Sequence, residues 1–243
     1  MKLDILAFGA HPDDVELSCC GTLMVEIANG KKAGIIDLTE GELGSRGDVP
    51  TRYAEAAASA TILGISVREN LQLPDGFFRS DRESLVKVIE VIRKYQPEIV
   101  LCNAPEDRHP DHGRGGNLVE EAAFLSGLAK IETTLNGEPQ THWRPKYVFK
   151  YIQDRFLEPD FVVDISSVHD RKIQAIEAFS TQFFTPKSGD GPVTYISTPD
   201  FLDSVIYRSK MMGKMVGVAY AEGFISSKKI GIRGFDALVQ QVT

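Results

Sequence analysis

Residues 3–14 of the chain read Leu-Asp-Ile-Leu-Ala-Phe-Gly-Ala-His-Pro-Asp-Asp, an apolar run followed by a polar cluster. Its first eight residues are almost continuously apolar, which is typical of a parallel strand buried on both faces. The polar residues His11, Asp13 and Asp14 follow where that strand must end. A similar step occurs in mid-chain, where an apolar run at 99–103 precedes His109-Pro110-Asp111-His112. The sequence therefore predicts two buried strands that each lead into a cluster of His and Asp.

Apolar runs of strand length alternate with stretches of helical period over most of the chain. The predicted strands cover residues 3–10, 33–38, 70–73, 99–103, 147–153 and 161–165. The predicted helices cover residues 15–28, 52–63, 84–95, 115–130, 168–179 and 200–220. This alternation predicts an α/β fold with a Rossmann-like, mostly parallel sheet and helices on both faces. Residues 186–199 are predicted to form a long loop, a candidate lid, within an elaborated C-terminal part. Residues 1–243 are predicted to form one domain.

The composition excludes several classes of protein. Of the 243 residues, 42% are hydrophobic, which is too many for a disordered chain. The chain has 27 Lys and Arg and 34 Asp and Glu, so its net charge is −7. A net negative charge disfavours binding to the phosphate backbone of nucleic acids. No apolar stretch approaches the roughly 18 residues that a membrane-spanning helix needs, and Asp4 interrupts what would be the core of a signal peptide. Cys19, Cys20 and Cys102 form neither an even framework nor a CxxC pair. We therefore expect a cytoplasmic protein with reduced thiols and with no nucleic-acid or membrane partner.

The two His/Asp clusters suit a divalent metal ion. In open α/β sheets, ligands bind beyond the carboxyl ends of the strands where the crossovers diverge, so both clusters are expected to face one crevice. Imidazole and carboxylate are common zinc ligands, and a catalytic zinc site uses three protein ligands. Together the clusters hold more such groups than one ion needs. The remaining groups can take a proton from metal-bound water and donate to a developing oxyanion.

Several other hypotheses fit parts of the pattern. Asp13 or Asp14 could cap the following helix while His109 and His112 are exposed loop residues. A nucleotide-binding oxidoreductase would need a GxGxxG turn after the first strand, where the two acids would instead repel a pyrophosphate. A non-catalytic metal- or sugar-binding module would not need a spare base and a spare imidazole beside its metal. A metal-dependent phosphoesterase would need more cations near the site.

Four segments of the chain resemble a known enzyme family. They are AFGAHPDDVE at 7–16, DLTEGELGSRG at 37–47, EDRHPDH at 106–112 and YAEGF at 220–224. In this order they resemble the PIG-L/LmbE-like zinc-dependent N-acetylglucosaminide deacetylases, and they extend over nearly the whole chain. The length and the segments at 37–42 and 220–224 most resemble the branch that deacetylates N-acetylglucosaminyl malate in bacillithiol biosynthesis. The resemblance implies a sugar-conjugate substrate, Zn²⁺ with Fe²⁺ as the alternative, and a homo-oligomer, expected to be a hexamer.

The resemblance also implies roles for individual residues of the two motifs. His11, Asp14 and His112 are the expected metal ligands. Asp13 is the expected general base. His109 is expected to stabilise the tetrahedral intermediate and to protonate the amine.

Further roles follow from the same resemblance and from charge. Asp111 is expected to orient and charge an active-site histidine. Arg52 is expected to bind substrate, and Arg108 is the second candidate, because an anionic malate arm needs local cations. Cys20 stands where many family members carry glycine, and a thiol near the metal would alter access to the crevice. Deacetylation of another N-acetylglucosamine conjugate, or of a simple N-acetylated sugar, is the alternative function.

Overall fold

A computed structural model describes residues 1–183 and 192–238 of the chain. Seven strands form the central sheet: β1 (Ile5–Gly9), β2 (Ala33–Asp37), β3 (Val67–Asn70), β4 (Ile99–Cys102), β7 (Tyr147–Tyr151), β8 (Phe161–Asp164) and β9 (Ala221–Ser226). Their spatial order is β3-β2-β1-β4-β7-β9-β8. Neighbours from β3 to β7 are parallel, and β9 is antiparallel to both β7 and β8. The short strands β5 (Thr134–Leu135) and β6 (Glu138–Pro139) form a separate hairpin.

Within the described residues, seven α-helices accompany the strands. They are α1 (Asp14–Ser18), α2 (Cys20–Ala28), α3 (Val49–Leu63), α4 (Arg82–Tyr95), α5 (Pro110–Leu125), α6 (His169–Glu177) and α7 (Pro199–Val216). Short 3₁₀ turns occur at Tyr195–Ser197 and Phe235–Ala237. Among the residues described, no helix is both long enough and apolar enough to cross a membrane.

Alternate residues of β1 explain why helices cover both faces of the sheet. Side chains alternate between the two faces of a strand, and every residue of β1 is buried. Leu6 and Phe8 belong to an apolar cluster that includes residues of α4 and α5. Ile5 and Ala7 belong to a second cluster with residues of α2 and α6. The predicted α/β fold, with its mostly parallel sheet between helical layers, is confirmed.

The strand order places a topological switch point between β1 and β4. The chain runs outward from β1 through β2 to β3, and then returns to place β4 on the other side of β1. The crossovers therefore diverge at the carboxyl ends of β1 and β4, which opens a crevice there. The first His/Asp motif follows β1, and the second precedes and opens α5, which follows β4.

The helix predicted over 15–28 is divided in two. Cys19, with φ −137° and ψ 9°, separates α1 from α2, so the predicted single helix is wrong at this point. The carboxylate of Glu222 accepts the backbone N–H groups of Gly21 and Thr22 in the first turn of α2. These bonds satisfy donors that the break leaves without a helical partner.

Other boundaries also differ from the prediction. The third strand lies at Val67–Asn70 rather than at 70–73, and α5 begins inside the second motif and ends at Leu125 rather than at 130. Helix α7 ends at Val216, where Gly217 adopts φ 76°, and the helix predicted to continue to 220 gives way to β9 from Ala221. A buried antiparallel strand of six residues has no periodicity that separates it from a helix end. Of the predicted loop 186–199, residues 186–191 lie outside the described residues.

Candidate active site

A cleft of about 340 Å³ lies at the switch point. Residues of both His/Asp motifs line it, as do the loop 41–46, the turn 75–76 and the segment 194–196. The residues that the two motifs bring there are His11, Asp13, Asp14, His109 and His112. The two clusters therefore line one cleft, as expected from the sequence.

His11 is held between carboxylates on two sides. Its Nε2 lies 3.1 Å from Asp75 Oδ1 and 3.5 Å from Asp111 Oδ2. Because a carboxylate only accepts, Nε2 carries the proton and donates it. The other nitrogen, Nδ1, faces Asp14 Oδ2 at 3.7 Å. Burial alone lowers the pKa of His11, but Asp111, Asp75 and Asp14 together raise it to about 10.

His112 is held in a similar way, but with the roles of its two ring nitrogens exchanged. Its Nδ1 lies 2.7 Å from Asp107 Oδ2, and Asp107 also accepts the backbone N–H of Arg155 at 2.8 Å. The Nε2 of His112 lies 3.2 Å from Asp14 Oδ1. Burial lowers the pKa of His112, but Asp14 and Asp107 raise it to about 9.

Asp14 lies between these two imidazoles and is itself firmly held. Its carboxylate accepts the amide N–H groups of Gln153 at 2.7 Å and Asn103 at 2.9 Å. Burial alone would raise its pKa, but His112, His11 and Gln153 hold that pKa well below its usual range.

The three groups form a donor set that fits a divalent metal ion. One nitrogen of each imidazole is bound to a supporting carboxylate, and the other faces Asp14. Outer carboxylates of this kind orient ligating imidazoles and select the nitrogen that is free to bind metal. The carboxylates that raise the pKa of both imidazoles would also favour a cation at this position, and metal binding would displace the protons. His11, Asp14 and His112 could therefore hold a metal ion of the zinc type. The three histidines His11, His109 and His112 also have nitrogens within 4.8 Å of one another.

Asp13 adjoins this set without belonging to it. It precedes α1 with φ 125° and ψ −21°, a backbone conformation that is rare for a residue with a side chain. Only 5% of its surface is exposed. Burial raises its pKa to about 7, although the nearby Arg52 guanidinium lowers it. A carboxyl group with a pKa near neutrality suits the transfer of protons in either direction.

His109 is the N-cap residue of α5, and its ring lies beside those of His11 and His112. Its Nδ1 accepts the backbone N–H of Asp111 at 3.3 Å, which places the proton of the neutral ring on Nε2. Burial, together with His11 and His112, lowers the pKa of His109, which favours the neutral form of the ring. Its ring centroid lies 4.7 Å from that of His11. His109 is therefore arranged to donate one hydrogen bond into the cleft.

Asp111 is completely buried and contacts His11 rather than His109 through its side chain. Its oxygens also accept the backbone N–H of Gly76 at 2.8 Å and a guanidinium N–H of Arg114 at 2.6 Å. The expectation that Asp111 orients an active-site histidine stays a prediction, and His11 is the histidine within its reach.

The two arginines that were singled out have different environments. Arg52 is 5% exposed and donates to Pro12 O at 2.5 Å and to Gln182 Oε1 at 2.8 Å. Arg108 lies at the rim, where its side chain is 42% exposed and stacks on the ring of Tyr195 at 4.4 Å. Its Nε is 3.7 Å from Asp154, a carboxylate that also accepts the Tyr195 hydroxyl at 3.1 Å. Arg108 is thus the more accessible cation.

Four supporting residues were missed by the sequence reasoning: Asp75, Asn103, Asp107 and Gln153. Asn103 and Gln153 close two predicted buried strands, and a polar residue at the carboxyl end of such a strand is a usable signal. Asp107 lies within the second motif. Asp75 lies in a Pro-Asp-Gly turn with no neighbouring His, so nothing local distinguished it from a turn residue.

Cys20 does not reach the cleft. It is completely buried in the apolar cluster on the face of the sheet that contains Ile5 and Ala7, and its Sγ donates to Glu16 O at 3.2 Å. Burial raises the pKa of this thiol well above its ordinary value. The expected effect of the thiol on the crevice is therefore contradicted by its position, because the side chain points into the core.

Comparison with known proteins places the chain among relatives that cover most of its length. The PIG-L family, described as GlcNAc-PI de-N-acetylase, matches residues 6–123. The chain is 30% identical over 230 residues to a diacetylchitobiose deacetylase of Thermococcus kodakarensis, covering 90% of this chain and 81% of the relative. It is 31% identical over 192 residues to a 4-oxalmesaconate hydratase of Pseudomonas putida, covering 73% of each. A conserved protein of Thermus thermophilus has a structure with TM-score 0.83 and 35% identity, covering 95% of this chain and 97% of that one.

The family match contains both His/Asp motifs, and the deacetylase relative extends the similarity beyond residue 123. The same two motifs line the cleft at the switch point of the sheet. The chain therefore belongs to the PIG-L family of deacetylases.

Proposed function

We propose that this protein is a zinc-dependent hydrolase that removes the acetyl group from an N-acetylglucosamine conjugate, with N-acetylglucosaminyl L-malate as the preferred substrate. One observation carries the proposal. His11, Asp14 and His112 converge as a donor set, while Asp13 and His109 border the same cleft without being needed as ligands. A binding module has no use for two additional proton-transfer groups at that position.

A metal ion at this site would supply Lewis acidity and would lower the pKa of a bound water. The residues of the chain then have separate tasks. The Asp13 carboxylate takes the proton of the attacking water as the new C–O bond forms. His109 Nε2 donates a hydrogen bond to the oxygen that gains charge in the tetrahedral intermediate. When the C–N bond breaks, the proton on Asp13 passes to the leaving amine. This replaces the role expected for His109 from the sequence, because the lowered pKa of His109 disfavours a charged ring. The products are acetate and the free amino sugar.

The identity of the sugar conjugate is supported from two directions. The Thermococcus relative is named for an N-acetylated glucosamine disaccharide, and a family member of Corynebacterium efficiens, 24% identical, is named for an inositol-linked acetamido-glucose. At the rim of the cleft, Arg108 offers an exposed guanidinium to an anionic substituent. A malate arm carries two carboxylates, and guanidinium binds carboxylate with good geometry.

The hydratase relative is a reason to consider a second function. Its identity of 31% is close to the 30% of the deacetylase, although it extends over 192 rather than 230 residues. Asp13 and a metal-bound water would also suit the addition of water to an activated double bond. The two functions differ in product, because only deacetylation releases acetate and a primary amine.

The test is acetate and primary-amine release by zinc-loaded protein, with a chelator-treated sample as control. N-acetylglucosaminyl malate, N,N′-diacetylchitobiose and N-acetylglucosamine are assayed in parallel, and an unsaturated dicarboxylate is assayed for hydration. We expect chelator-sensitive deacetylation with the highest kcat/KM on the malate conjugate. Hydration without acetate release from any sugar would overturn the proposal. Equal kcat/KM on the malate conjugate and N-acetylglucosamine would retain the deacetylase and reject malate as the preferred substituent.

A further inference from the structure

We propose that the outer face of α7 binds the same face of a second copy of this chain, with the two helices antiparallel about a two-fold axis near Tyr207. Helix α7 has 18 residues, so it is about 27 Å long. Its inner side packs Val205 and Met212 into two apolar clusters of the chain. Its outer side is exposed, and the contact proposed there does not depend on the proposed function.

The outer face of α7 carries three large apolar side chains. Tyr207, Met211 and Met215 are 63%, 41% and 46% exposed. They follow one another at intervals of four residues, so they form one stripe along the helix. Single exposed apolar residues are common on monomers, whereas a continuous row of them indicates an interaction surface. The flexible methionine side chains also suit such a surface, because they adapt to a partner.

Charges of opposite sign lie at the two ends of this stripe. Asp200 and Asp203 are exposed at its start, and Lys210 and Lys214 are exposed toward its end. Among the described residues, none of the four takes part in an ion pair. The helix dipole favours this placement of acids and bases in any helix. The dipole does not explain the exposed apolar side chains between them, for which a partner surface is needed.

The spacing of the charges is symmetric about Tyr207. Asp200 comes seven residues before Tyr207 and Lys214 seven residues after it, which is about 10 Å along the axis on either side. A two-fold axis at Tyr207 therefore brings Asp200 of one copy opposite Lys214 of the other. Asp203 and Lys210 lie on one flank, four residues before and three after Tyr207, so they meet at the rim of the same contact. The face is thus complementary to itself, as an isologous contact requires.

A second copy fits this face better than other partners do. An unrelated protein would need acidic and basic groups in the matching register, which a second copy has by symmetry. A membrane surface attracts amphipathic helices whose polar face is basic, but half of the charged residues here are acidic. One helix pair buries less area than the roughly 800 Å² per partner of a standard interface. We therefore expect a contact of moderate affinity that weakens as the salt concentration rises.

The first experiment reverses charges and measures self-association of the full chain by sedimentation equilibrium. Lys210→Glu with Lys214→Glu makes both ends of the stripe acidic, so we expect the Kd of the contact to rise at least about tenfold. Adding Asp200→Lys and Asp203→Lys to that variant restores opposite charges in the antiparallel register, and association should return. The control is Lys31→Glu with Lys32→Glu, which changes the net charge equally at two exposed lysines away from α7 and should leave the Kd unchanged.

Three outcomes of this experiment would overturn the proposal. They are a wild-type chain that stays monomeric, a Kd unaffected by the reversal at 210 and 214, and a folded fourfold variant that associates no better than the twofold one. Circular dichroism establishes that each variant is folded.

A cysteine cross-link tests the symmetry of the contact independently of charge. A single new cysteine pairs with its own copy only where a two-fold axis brings the two Cα atoms within about 7 Å. The natural Cys19, Cys20 and Cys102 are buried and do not compete. With diamide as oxidant, we expect Tyr207→Cys to form a covalent dimer, and Phe124→Cys, at an exposed position on α5, to remain monomeric on a denaturing gel. Equal cross-linking at both positions, or none at 207, would contradict the two-fold contact.

These readouts do not involve turnover of any substrate. A chain that forms the α7 contact but releases no acetate would contradict the proposed function alone. A monomeric chain that deacetylates the sugars would contradict the contact alone.

Discussion

Asp14 Oδ1 lies 3.2 Å from His112 Nε2, although Asp14 follows β1 and His112 belongs to the helix after β4. This contact joins the two halves of the His/Asp pattern into one donor set. The partner nitrogen of His112 is held by Asp107 at 2.7 Å, so the approach of the imidazole to Asp14 is determined from outside the set.

Removing the outer carboxylate of His112 should weaken metal binding without unfolding the protein. We expect Asp107→Ala to raise the Kd for Zn²⁺ by about 10- to 100-fold, since a second carboxylate orients the ligating imidazole. His112→Ala should lose the metal at stoichiometric Zn²⁺. Competition with a chromogenic chelator measures both. His142→Ala serves as control, because His142 is an exposed histidine, and its metal affinity should equal that of wild type.

Asp13→Asn should separate metal binding from turnover. An amide cannot accept the proton of the attacking water, so kcat is expected to fall by about 100- to 10,000-fold. Metal content, measured by atomic emission after dialysis, should stay at one ion per chain because Asp13 is not in the donor set. Asp170→Asn, a change at a fully exposed carboxylate, is the control. Retention of full activity in Asp13→Asn would refute the assigned role of the base.

Arg108→Gln should change substrate preference rather than the chemical step. The Arg108 side chain is 42% exposed and forms no hydrogen bond with Asp154 at 3.7 Å, so its donors can reach an anionic substituent. We expect KM for the malate conjugate to rise about tenfold, while both kinetic constants for diacetylchitobiose stay within about twofold of wild type. An equal rise in KM for the neutral disaccharide would show that Arg108 does not distinguish an anionic substrate from a neutral one.

The pair Glu222–Lys172 should be a main determinant of stability. Its atoms approach to 2.6 Å, with both side chains at least 98% buried, and Glu222 also accepts two backbone N–H groups of α2. Removing one partner leaves an uncompensated buried charge, so Glu222→Gln is expected to lower the free energy of unfolding by about 3–5 kcal/mol. The surface pair Lys2–Glu98 is the comparison, and Lys2→Ala should cost less than about 1 kcal/mol. Urea titrations of the metal-free proteins measure both, and similar losses from the two changes would contradict the prediction.

The order of most strands and helices could be predicted from the local sequence. β1 is almost continuously apolar and β4 likewise, and such runs form buried parallel strands because both of their faces must be covered. The short helices and the last strand were less readable. Cys19 breaks a helix that its apolar spacing favours, because Glu222, far away in the chain, stabilises the second N-terminus. No local pattern contains that interaction.

The chemical types at the site were determined by the sequence, because two His/Asp clusters that each follow a buried strand are expected to face one crevice. Which nitrogen of each imidazole is free was decided only by the tertiary structure. Asp75 comes from a turn after β3, and its contact with His11 exists because the sheet brings that turn beside the end of β1. The environment of Arg52 has the same origin, since Pro12 and Asp13 come from one segment and Gln182 from another far along the chain. Residue types and their order are local properties, whereas hydrogen-bond partners and burial are properties of the packed chain.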